Sequence, residues 1–208
     1  MTKLIDLSVD LYEGMTKFTG EYHAKFASEI TGTYERNKCL VHRIEMATHT
    51  GTHIDAPLHF IRDGNTIDKI PLEVLISTAH VIDLKGKGAG SVITAKDVEH
   101  IKSYKNAGAL LKTGWYHHWD TGDFYNNAPA LAEEAARLLV ERGAAFLAVD
   151  IPLSGQVHHI VLGAGRILIE NLTNLDAITV KQIKLYALPL RIRKADAAPA
   201  RVVAEIPA

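Results

Sequence analysis

Four residues that can bind a metal ion or carry a proton lie close together in the sequence: His49, His53, Asp55 and His59. Their spacing gives them one parity, so in an extended chain they face the same side. Two imidazoles and one carboxylate form a three-ligand set typical of catalytic zinc and manganese sites, which keep positions open for water and substrate. An ion in such a site generates hydroxide at neutral pH. A lone histidine is more often a solvent-facing or core residue, but four such residues at this spacing favour a metal site.

The chain between the first two histidines must bend. At ~3.3 Å per residue, His49 and His53 would lie ~13 Å apart in a straight strand, whereas ligands lie ~2.0–2.2 Å from an ion. Gly51 can adopt backbone angles closed to other residues, and Pro57 fixes the chain beyond Asp55. The β-branched residues between them disfavour a helix. The sequence therefore predicts a strand that runs into a shaped loop.

A second group of candidate ligands lies in the C-terminal half, where the doublet His158-His159 is followed by Glu170 in an apolar segment. A carboxylate carried into a buried segment costs several kcal/mol unless a cation or hydrogen-bond donors offset it. A metal ion would do so. The alternative is that Glu170 faces solvent at the end of a strand, and the residues alone do not decide between the two.

Apolar patterns predict the elements that must position these residues. The predicted strands are Leu4–Leu11, Leu40–Ala47, Ala79–Leu84, Ala109–Lys112, Ala145–Ile151, Ile183–Arg193 and Val202–Ile206. Thr94 is placed to cap a helix over Ala95–Lys102, and Pro129 opens a second helical stretch that ends at Gly143. The alternation of strands and helices from Ala79 onward predicts an α/β fold with a mixed sheet flanked by helices.

The composition limits the classes of partner. A chain of 208 residues with 47% apolar content can form one domain, predicted over 1–208, and a net charge of -1 predicts no nucleic-acid or anionic-membrane partner. The N-terminus reaches polar residues too soon for a signal peptide, and no apolar run approaches the ~20 residues of a membrane span. We therefore expect a cytoplasmic protein. The single cysteine, Cys39, excludes an internal disulfide and is expected to be a buried or half-buried apolar filler.

The first cluster also resembles the signature of a known family. The segment reads His49-Thr50-Gly51-Thr52-His53-Ile54-Asp55-Ala56-Pro57-Leu58-His59. It is similar to the pattern His-x-Gly-Thr-His-x-Asp-Ala-Pro-x-His of the cyclase family of metal-dependent hydrolases, which includes bacterial arylformamidases and isatin hydrolases. The resemblance extends to segments at 5–8, 111–115, 149–150 and 169–172.

The resemblance implies a ligand assignment. It places His49, His53 and Asp55 on one divalent ion, zinc or manganese, with Asp55 bridging to a second ion held by His158 and Glu170. It also implies that His59 is the general acid/base, a role that suits a side chain titrating near neutrality. The fold that it implies is the swivelling β/β/α type, as a single domain in a homodimer or higher homo-oligomer.

Two departures from the family pattern leave the substrate open. Formamidases carry a Trp-Pro-Gly segment near the N-terminus, where this chain has Phe18-Thr19-Gly20, so Phe18 is the expected aromatic wall. The stretch between Asp150 and His158 is shorter than is typical, so the rim of the site should differ. Trp115 is a further candidate for contact with substrate, and packing in the interior is its alternative role.

Together with the resemblance, these residues predict hydrolysis of a small amide or cyclic amide, in which a metal-held hydroxide attacks the carbonyl and His59 protonates the leaving nitrogen. A serine nucleophile is disfavoured because the chain has no Gly-x-Ser-x-Gly segment. The alternatives are a lactone hydrolase or a cyclase/dehydratase that uses the same ion, and a protein that binds a small carboxylate through the metal without catalysis.

Overall fold

The computed structural model describes residues 1–207, and Ala208, the last residue of the predicted domain, lies outside the described residues. The strands are β1 (Thr2–Asp6), β2 (Ala27–Gly32), β3 (Val41–Glu45), β4 (His53–Asp55), β5 (Ile76–Asp83), β6 (Val92–Ile93), β7 (Gly108–Lys112), β8 (Ala130–Leu131), β9 (Phe146–Val149), β10 (Ile167–Glu170), β11 (Gln182–Pro189) and β12 (Ala197–Pro207). The helices are α1 (Tyr34–Asn37), α2 (Leu72–Leu75), α3 (Ala95–Val98), α4 (Asp123–Asn126), α5 (Glu133–Glu141) and α6 (Gly155–Gly163). No helix within residues 1–207 combines the length and the apolar character needed to cross a membrane.

One mixed sheet of eight strands organises the fold, in the order β1-β12-β11-β5-β7-β9-β10-β4. Strands β5, β7, β9 and β10 run parallel to one another, and all other neighbouring pairs in this order are antiparallel. The first residues of β12 also pair with β4, so the sheet closes on itself. The closure brings β4 and the start of β12, and the chain on either side of them, to one place.

The apolar core lies on both faces of this sheet. Successive residues of a strand face opposite sides, and β7 shows this: Leu110 packs in a cluster with Ile54 and Phe146, while Leu111 packs in a second cluster under the helices. In that second layer α3 packs on α5 and α5 packs on α6. The arrangement is the α/β fold with a mixed sheet and flanking helices that the sequence predicts.

The four inner predicted strands agree with the structure apart from their ends, but the terminal ones differ more. Leu4–Leu11 is extended only to Asp6, because the Asp6 carboxylate accepts a hydrogen bond from the Ser8 backbone and turns the chain. The predicted Ile183–Arg193 strand ends at Pro189, which lacks the N–H needed to continue a ladder. The last strand begins at Ala197 and not at Val202. The prediction missed its first residues because the small alanines there give no alternating apolar pattern.

The helices show the same limits. The predicted helix at Ala95–Lys102 covers only Ala95–Val98, and the helix after Pro129 begins at Glu133, since Ala130–Leu131 forms a short strand. Helix α6 was not predicted. It is apolar on most of its surface and carries β-branched residues, so it has no clear amphipathic period.

The prediction for Cys39 is wrong. The thiol is exposed, in the connection between β2 and β3. Helix α1 ends at Asn37, and Lys38, which directly precedes the cysteine, has a left-handed backbone with φ 60°. The cysteine therefore lies near the tip of a two-stranded ribbon, where the core does not reach.

Candidate metal centre

The turn that precedes β4 bends as the ligand distances require. Gly51 has φ +64°, and a Cβ added there would lie 2.5 Å from a side-chain carbon of Leu11 and 3.2 Å from one of Val9. The backbone angle therefore favours glycine, and a larger residue would also require the Leu11 side chain to move. The bend brings the His49 and His53 rings to a centroid distance of 5.0 Å, far closer than a straight strand allows.

Strand register brings the distant carboxylate to the first cluster. In the antiparallel pairing of β10 with β4, Glu170 lies opposite His53 and Leu168 lies opposite Asp55. Glu170 is buried, which excludes the alternative that it faces solvent at the end of a strand. The segment that the sequence shows as a plain apolar run is thus a central strand that ends at the site.

Helix α6 supplies His158. The Ser154 side chain caps this helix by accepting a hydrogen bond from the Val157 backbone. His158 is buried with its Nε2 3.4 Å from an oxygen of Asp55 and 3.4 Å from an oxygen of Glu170, whereas His159 is exposed. Of the doublet, it is the first histidine that faces the other predicted ligands.

The acidic oxygens at this point lack the partners that buried carboxylates need. Both oxygens of Asp55 and Oε1 of Glu170 are buried without a hydrogen bond. His49 Nδ1 lies 2.8 Å from Asp55 Oδ1 and His53 Nε2 lies 3.3 Å from it, but the groups are not aligned as donor and acceptor. Nitrogens and oxygens that converge without bonding to one another fit a common cation between them.

The outer nitrogens of the histidines support the same conclusion. His53 Nδ1 lies 2.8 Å from the Gly51 carbonyl, and His158 Nδ1 lies 2.8 Å from the Ser154 carbonyl. A carbonyl only accepts, so each Nδ1 carries the proton and each Nε2 is left as a ligand. Histidines that bind metal almost always donate their second N–H to a carbonyl or carboxylate. The residues present therefore fit a divalent metal with nitrogen and oxygen ligands.

Without an ion, protons neutralise the same charges. Burial disfavours charge on His49, but the carboxylates of Asp196 and Asp55 outweigh it and raise its pKa to about 10. Burial also opposes charge on His158, and Glu170 and Asp55 raise its pKa to about 9. Burial opposes ionisation of Asp55 as well, yet the surrounding histidines hold its pKa well below the usual range. Burial raises the pKa of Glu170, an effect that His158 only partly offsets. The centre thus attracts cations.

The candidate ligands form two groups that share one residue. His53, Asp55 and Glu170 have ligand atoms within 4.8 Å of one another, and so have His49, Asp55 and His59. The shared Asp55 matches the bridging role that the resemblance implies. The partners differ, however, since the resemblance pairs His53 with His49 and leaves His59 outside the ligand set.

A cavity of about 170 Å³ opens beside the centre. Its walls combine the candidate ligands with aromatic and apolar side chains: Phe18, Tyr22, Phe60, Tyr125, Pro152 and Leu153. The Phe18 and Tyr125 rings meet edge to face at 5.6 Å. The structure thus places Phe18 where the sequence analysis expects an aromatic wall, and the short stretch after Asp150 forms part of the rim.

Trp115 does not line this cavity. It is buried in the core layer under the helices, its Nε1 donates a hydrogen bond to the Phe124 carbonyl, and its ring stacks on His118. The prediction of substrate contact for Trp115 is corrected accordingly, because the turn at Gly114 directs the ring inward and its N–H finds a backbone partner there.

Four residues at the site escaped the sequence analysis: His23, Tyr125, Asn171 and Asp196. His23, Tyr125 and Asn171 line the cavity, and Asp196 Oδ2 lies 2.8 Å from His49 Nε2. Asn171 follows Glu170 directly and has a left-handed backbone, φ 58°. Asparagine adopts this conformation more often than most residues, so an asparagine at the end of a predicted strand is a signal that the sequence offered. The other three stand alone in their segments, without a motif or spacing that marks them.

Comparisons with known proteins identify the relatives of this chain. A family model described as putative cyclase matches residues 5–154. Kynurenine formamidase from Bacillus mycoides is 30% identical over 207 residues, which cover 96% of this chain and 95% of that protein. Isatin hydrolase A from Labrenzia aggregata superposes with a TM-score of 0.88 and 26% identity, covering 99% of this chain and 94% of that one.

A further solved structure, titled as a potential metal-dependent hydrolase with cyclase activity, has a TM-score of 0.82 and 29% identity over the full length of both chains. These matches confirm the α/β fold and the resemblance that the signature segment indicates. The family match includes the whole first cluster, and the structural matches extend it to the strands and helix that carry His158 and Glu170. The chain belongs to the cyclase family.

Proposed function

We propose that this protein is a metal-dependent hydrolase that cleaves the C–N bond of a small amide or cyclic amide. The observation that carries the proposal is the pair of buried carboxylates, Asp55 and Glu170, whose unpaired oxygens face three histidines beside an aromatic cavity. A kynurenine formamidase and an isatin hydrolase are among the chain's relatives, which supports amide chemistry at such a centre.

The ligand set would be His49, His53, Asp55, His158 and Glu170, with zinc or manganese as the metal and two ions as the expected number. A divalent ion held here would polarise the substrate carbonyl and make a bound water acidic enough to attack it at neutral pH. Imidazole and carboxylate together suit both metals, and they also suit iron and cobalt. The number follows the family resemblance, and the position of Asp55 supports it, because its Oδ1 lies near His49 and His53 and its Oδ2 lies near His158.

His59 is the residue proposed to move protons. Its side chain is 22% exposed, it borders the cavity, and its ring lies 4.0 Å from that of His49. From this position the imidazole would take a proton from the attacking water and give one to the leaving nitrogen. No chain residue has to form a covalent bond with the substrate.

The cavity sets the size and character of the substrate. Its volume of about 170 Å³ is below the roughly 300–1,000 Å³ of sites for drug-sized ligands. Phe18, Phe60 and Tyr125 offer ring faces and edges to a flat apolar group. A small aromatic amide fits these walls, with its carbonyl toward the ligand set and its ring between the aromatic residues.

The experiment is metal analysis of protein purified without chelator, followed by a substrate panel of aromatic formamides, cyclic amides, lactones and keto-acids. The expected result is bound zinc or manganese and amide hydrolysis that a chelator abolishes and added metal restores. Turnover of lactones alone, or dehydration of a keto-acid, would replace the amide assignment. Binding of small carboxylates with no turnover of any substrate would overturn the proposal that this protein is an enzyme.

We also propose that the chain forms a homodimer through the ribbon of β2 and β3, here called the arm. The two strands pair only with each other among the described residues, and every residue of β3 is exposed. Exposed apolar side chains on the arm include Ile30, Leu40, Val41 and Ile44. An isolated two-stranded ribbon is marginally stable, and apolar surface of this kind marks a protein interface. A second copy of the chain is the partner that we propose.

A further inference from the structure

Asp196 lies between two histidines with different proposed roles. Its Oδ2 is 2.8 Å from His49 Nε2 and 3.3 Å from His59 Nδ1, and its Oδ1 accepts a hydrogen bond from the Thr48 hydroxyl at 3.2 Å. His49 belongs to the candidate ligand set, and His59 is the residue proposed to move protons. One carboxylate therefore contacts both parts of the site.

The backbone fixes Asp196 relative to the ligands. Its carbonyl accepts a hydrogen bond from the Ala56 N–H at 2.9 Å, and the next residue, Ala197, pairs with Asp55 in the β12–β4 ladder. Since β4 carries His53 and Asp55, the position of Asp196 is set by the same pairing that sets the centre. The carboxylate is 36% exposed, so small solutes can reach it.

The hydrogen-bond chemistry of a carboxylate determines which ring nitrogens carry protons. An ionised carboxylate only accepts, so a ring nitrogen that forms a hydrogen bond with Asp196, as His49 Nε2 does, must bear an N–H. A neutral imidazole has a single N–H. His49 then carries it on Nε2 and presents Nδ1, which lies 2.8 Å from Asp55 Oδ1, as the ligand nitrogen. His59 Nδ1 lies 3.3 Å from the same carboxylate, whose negative charge favours the N–H on Nδ1 and leaves Nε2 for proton transfer.

We propose that Asp196 is a positioning residue that fixes the tautomer and ring orientation of His49 and His59 together. It aligns the proton-transfer group with the ligand set, and it does so without touching substrate. This inference rests on the proposed hydrolase function of the site. Removal of carboxylates that orient histidine ligands typically costs ~10- to 100-fold in metal affinity or activity.

Kinetics at saturating metal test the alignment. In Asp196→Ala we expect kcat to fall ~10- to 100-fold, and KM to change little because substrate contacts are intact. Asp196→Asn keeps the shape and one acceptor oxygen, so its loss should be smaller. Formate or acetate should restore part of the activity of Asp196→Ala by filling the space of the carboxylate, whereas chloride at equal ionic strength should not.

Asp176→Ala is the matched control. Asp176 Oδ2 lies 2.9 Å from His117 Nε2, so this variant also removes a carboxylate from a histidine, at a surface position away from the cavity. It should keep the wild-type kcat and show no response to formate. A formate response of equal size in both variants would overturn the role of Asp196.

The second readout does not depend on turnover. Isotope-labelled histidine NMR of the zinc-loaded protein reports which ring nitrogen carries the proton, and we expect the Nδ1–H form of His59 in the wild type and its loss in Asp196→Ala. An unchanged His59 tautomer together with wild-type kcat would overturn the inference and leave the hydrolase proposal intact. If the wild type hydrolyses no substrate of the panel, the proposed function fails, and the tautomer comparison still decides the role of Asp196.

Discussion

The metal centre and the arm depart from the usual distribution of polarity in opposite directions. The centre buries the carboxylates of Asp55 and Glu170, with fully buried oxygens that have no hydrogen bond. In the arm, about half of the surface of each of Ile30, Val41 and Ile44 is exposed to solvent. Buried charge is unfavourable unless it is neutralised, and exposed apolar area is unfavourable by about 25 cal/mol per Å².

The difference between the two regions lies in what each one needs as a partner. The centre is held by the β4, β10 and β12 pairings and by α6, so the main sheet and its helix layer fix the positions of the ligands. The arm is held by its own pairing only, and its apolar surface needs a large complementary surface. We therefore expect loss of the ion to change chemistry first, and loss of the second copy to change assembly first.

The largest expected effect comes from Asp55→Asn. This change removes the charge that both ligand groups share, while the side chain keeps its shape. We expect loss of bound metal and a fall in kcat/KM of ~10⁴-fold or more, since the chemistry depends on the ion. Elemental analysis and kinetics measure the two quantities, with Asp176→Asn as the control. A variant that binds the wild-type amount of metal would contradict Asp55 as the central ligand.

His59→Ala separates proton transfer from metal binding. We expect kcat to fall roughly 10²- to 10³-fold, within the range for loss of a general acid/base, with the metal content unchanged. The exposed His100 provides a control, because His100→Ala removes an imidazole far from the cavity. Metal loss equal to that of Asp55→Asn would instead assign His59 to the ligand group that it forms with His49 and Asp55.

The two parts of the centre differ in how far the sequence predicted them. The segment from His49 to His59 carries its ligands within a few positions, and the bend at Gly51 follows from ligand distances alone, so its geometry was predicted. Glu170 could be placed only by the family resemblance, because its contact with His53 depends on the pairing of β10 with β4. Local spacing contains no information on such register.

The contact of Asp196 with the site also depends on strand pairing that the sequence does not show. The sequence likewise does not show the orientation of the Trp115 side chain. Asp196 reaches the site through the pairing of Ala197 with Asp55, far away in sequence, and nothing around it forms a motif. Trp115 looked like a wall of the pocket because it lies in an aromatic segment. Its orientation depends on one hydrogen bond to Phe124 and on the turn at Gly114, neither of which has a sequence pattern.

Removal of the ion should lower the free energy of unfolding. A ligand that binds only the folded state stabilises it by about 2.7 kcal/mol when present at 100 times its dissociation constant. We therefore expect a chelator to lower the free energy of unfolding by about this amount, measured by urea titration. In the control, Asp55→Asn/Glu170→Gln, the chelator should have no effect, and the metal-free variant should be more stable than the metal-free wild type. An equal chelator effect on both proteins would contradict the proposal that Asp55 and Glu170 bind the ion.

The arm should respond to charge on its apolar face. Full burial of an isoleucine contributes about 1.5–3 kcal/mol, so Ile44→Glu should weaken a dimer roughly 10- to 100-fold. Analytical ultracentrifugation over a range of concentrations measures the change. Val92→Glu, which alters an exposed apolar residue outside the arm, is the matched control and should dimerise as the wild type does. A wild-type protein that stays monomeric throughout would remove the arm as a dimer contact.

The smallest effect is expected at Asp97, a partly exposed carboxylate outside the metal centre. Lys87 and the Thr94 backbone lower the pKa of Asp97 to about 2, from an ordinary value of 3.8. A lowered pKa stabilises the folded state above pH 3.8, and the contribution is lost as the pH falls toward 2. Solvent screens this pair, so Asp97→Asn should cost at most about 1 kcal/mol at pH 7, and the difference from wild type should vanish near pH 2. Urea titrations at the two pH values measure it. A loss as large as that caused by removal of the ion would mean that burial is not what distinguishes the carboxylates of the metal centre.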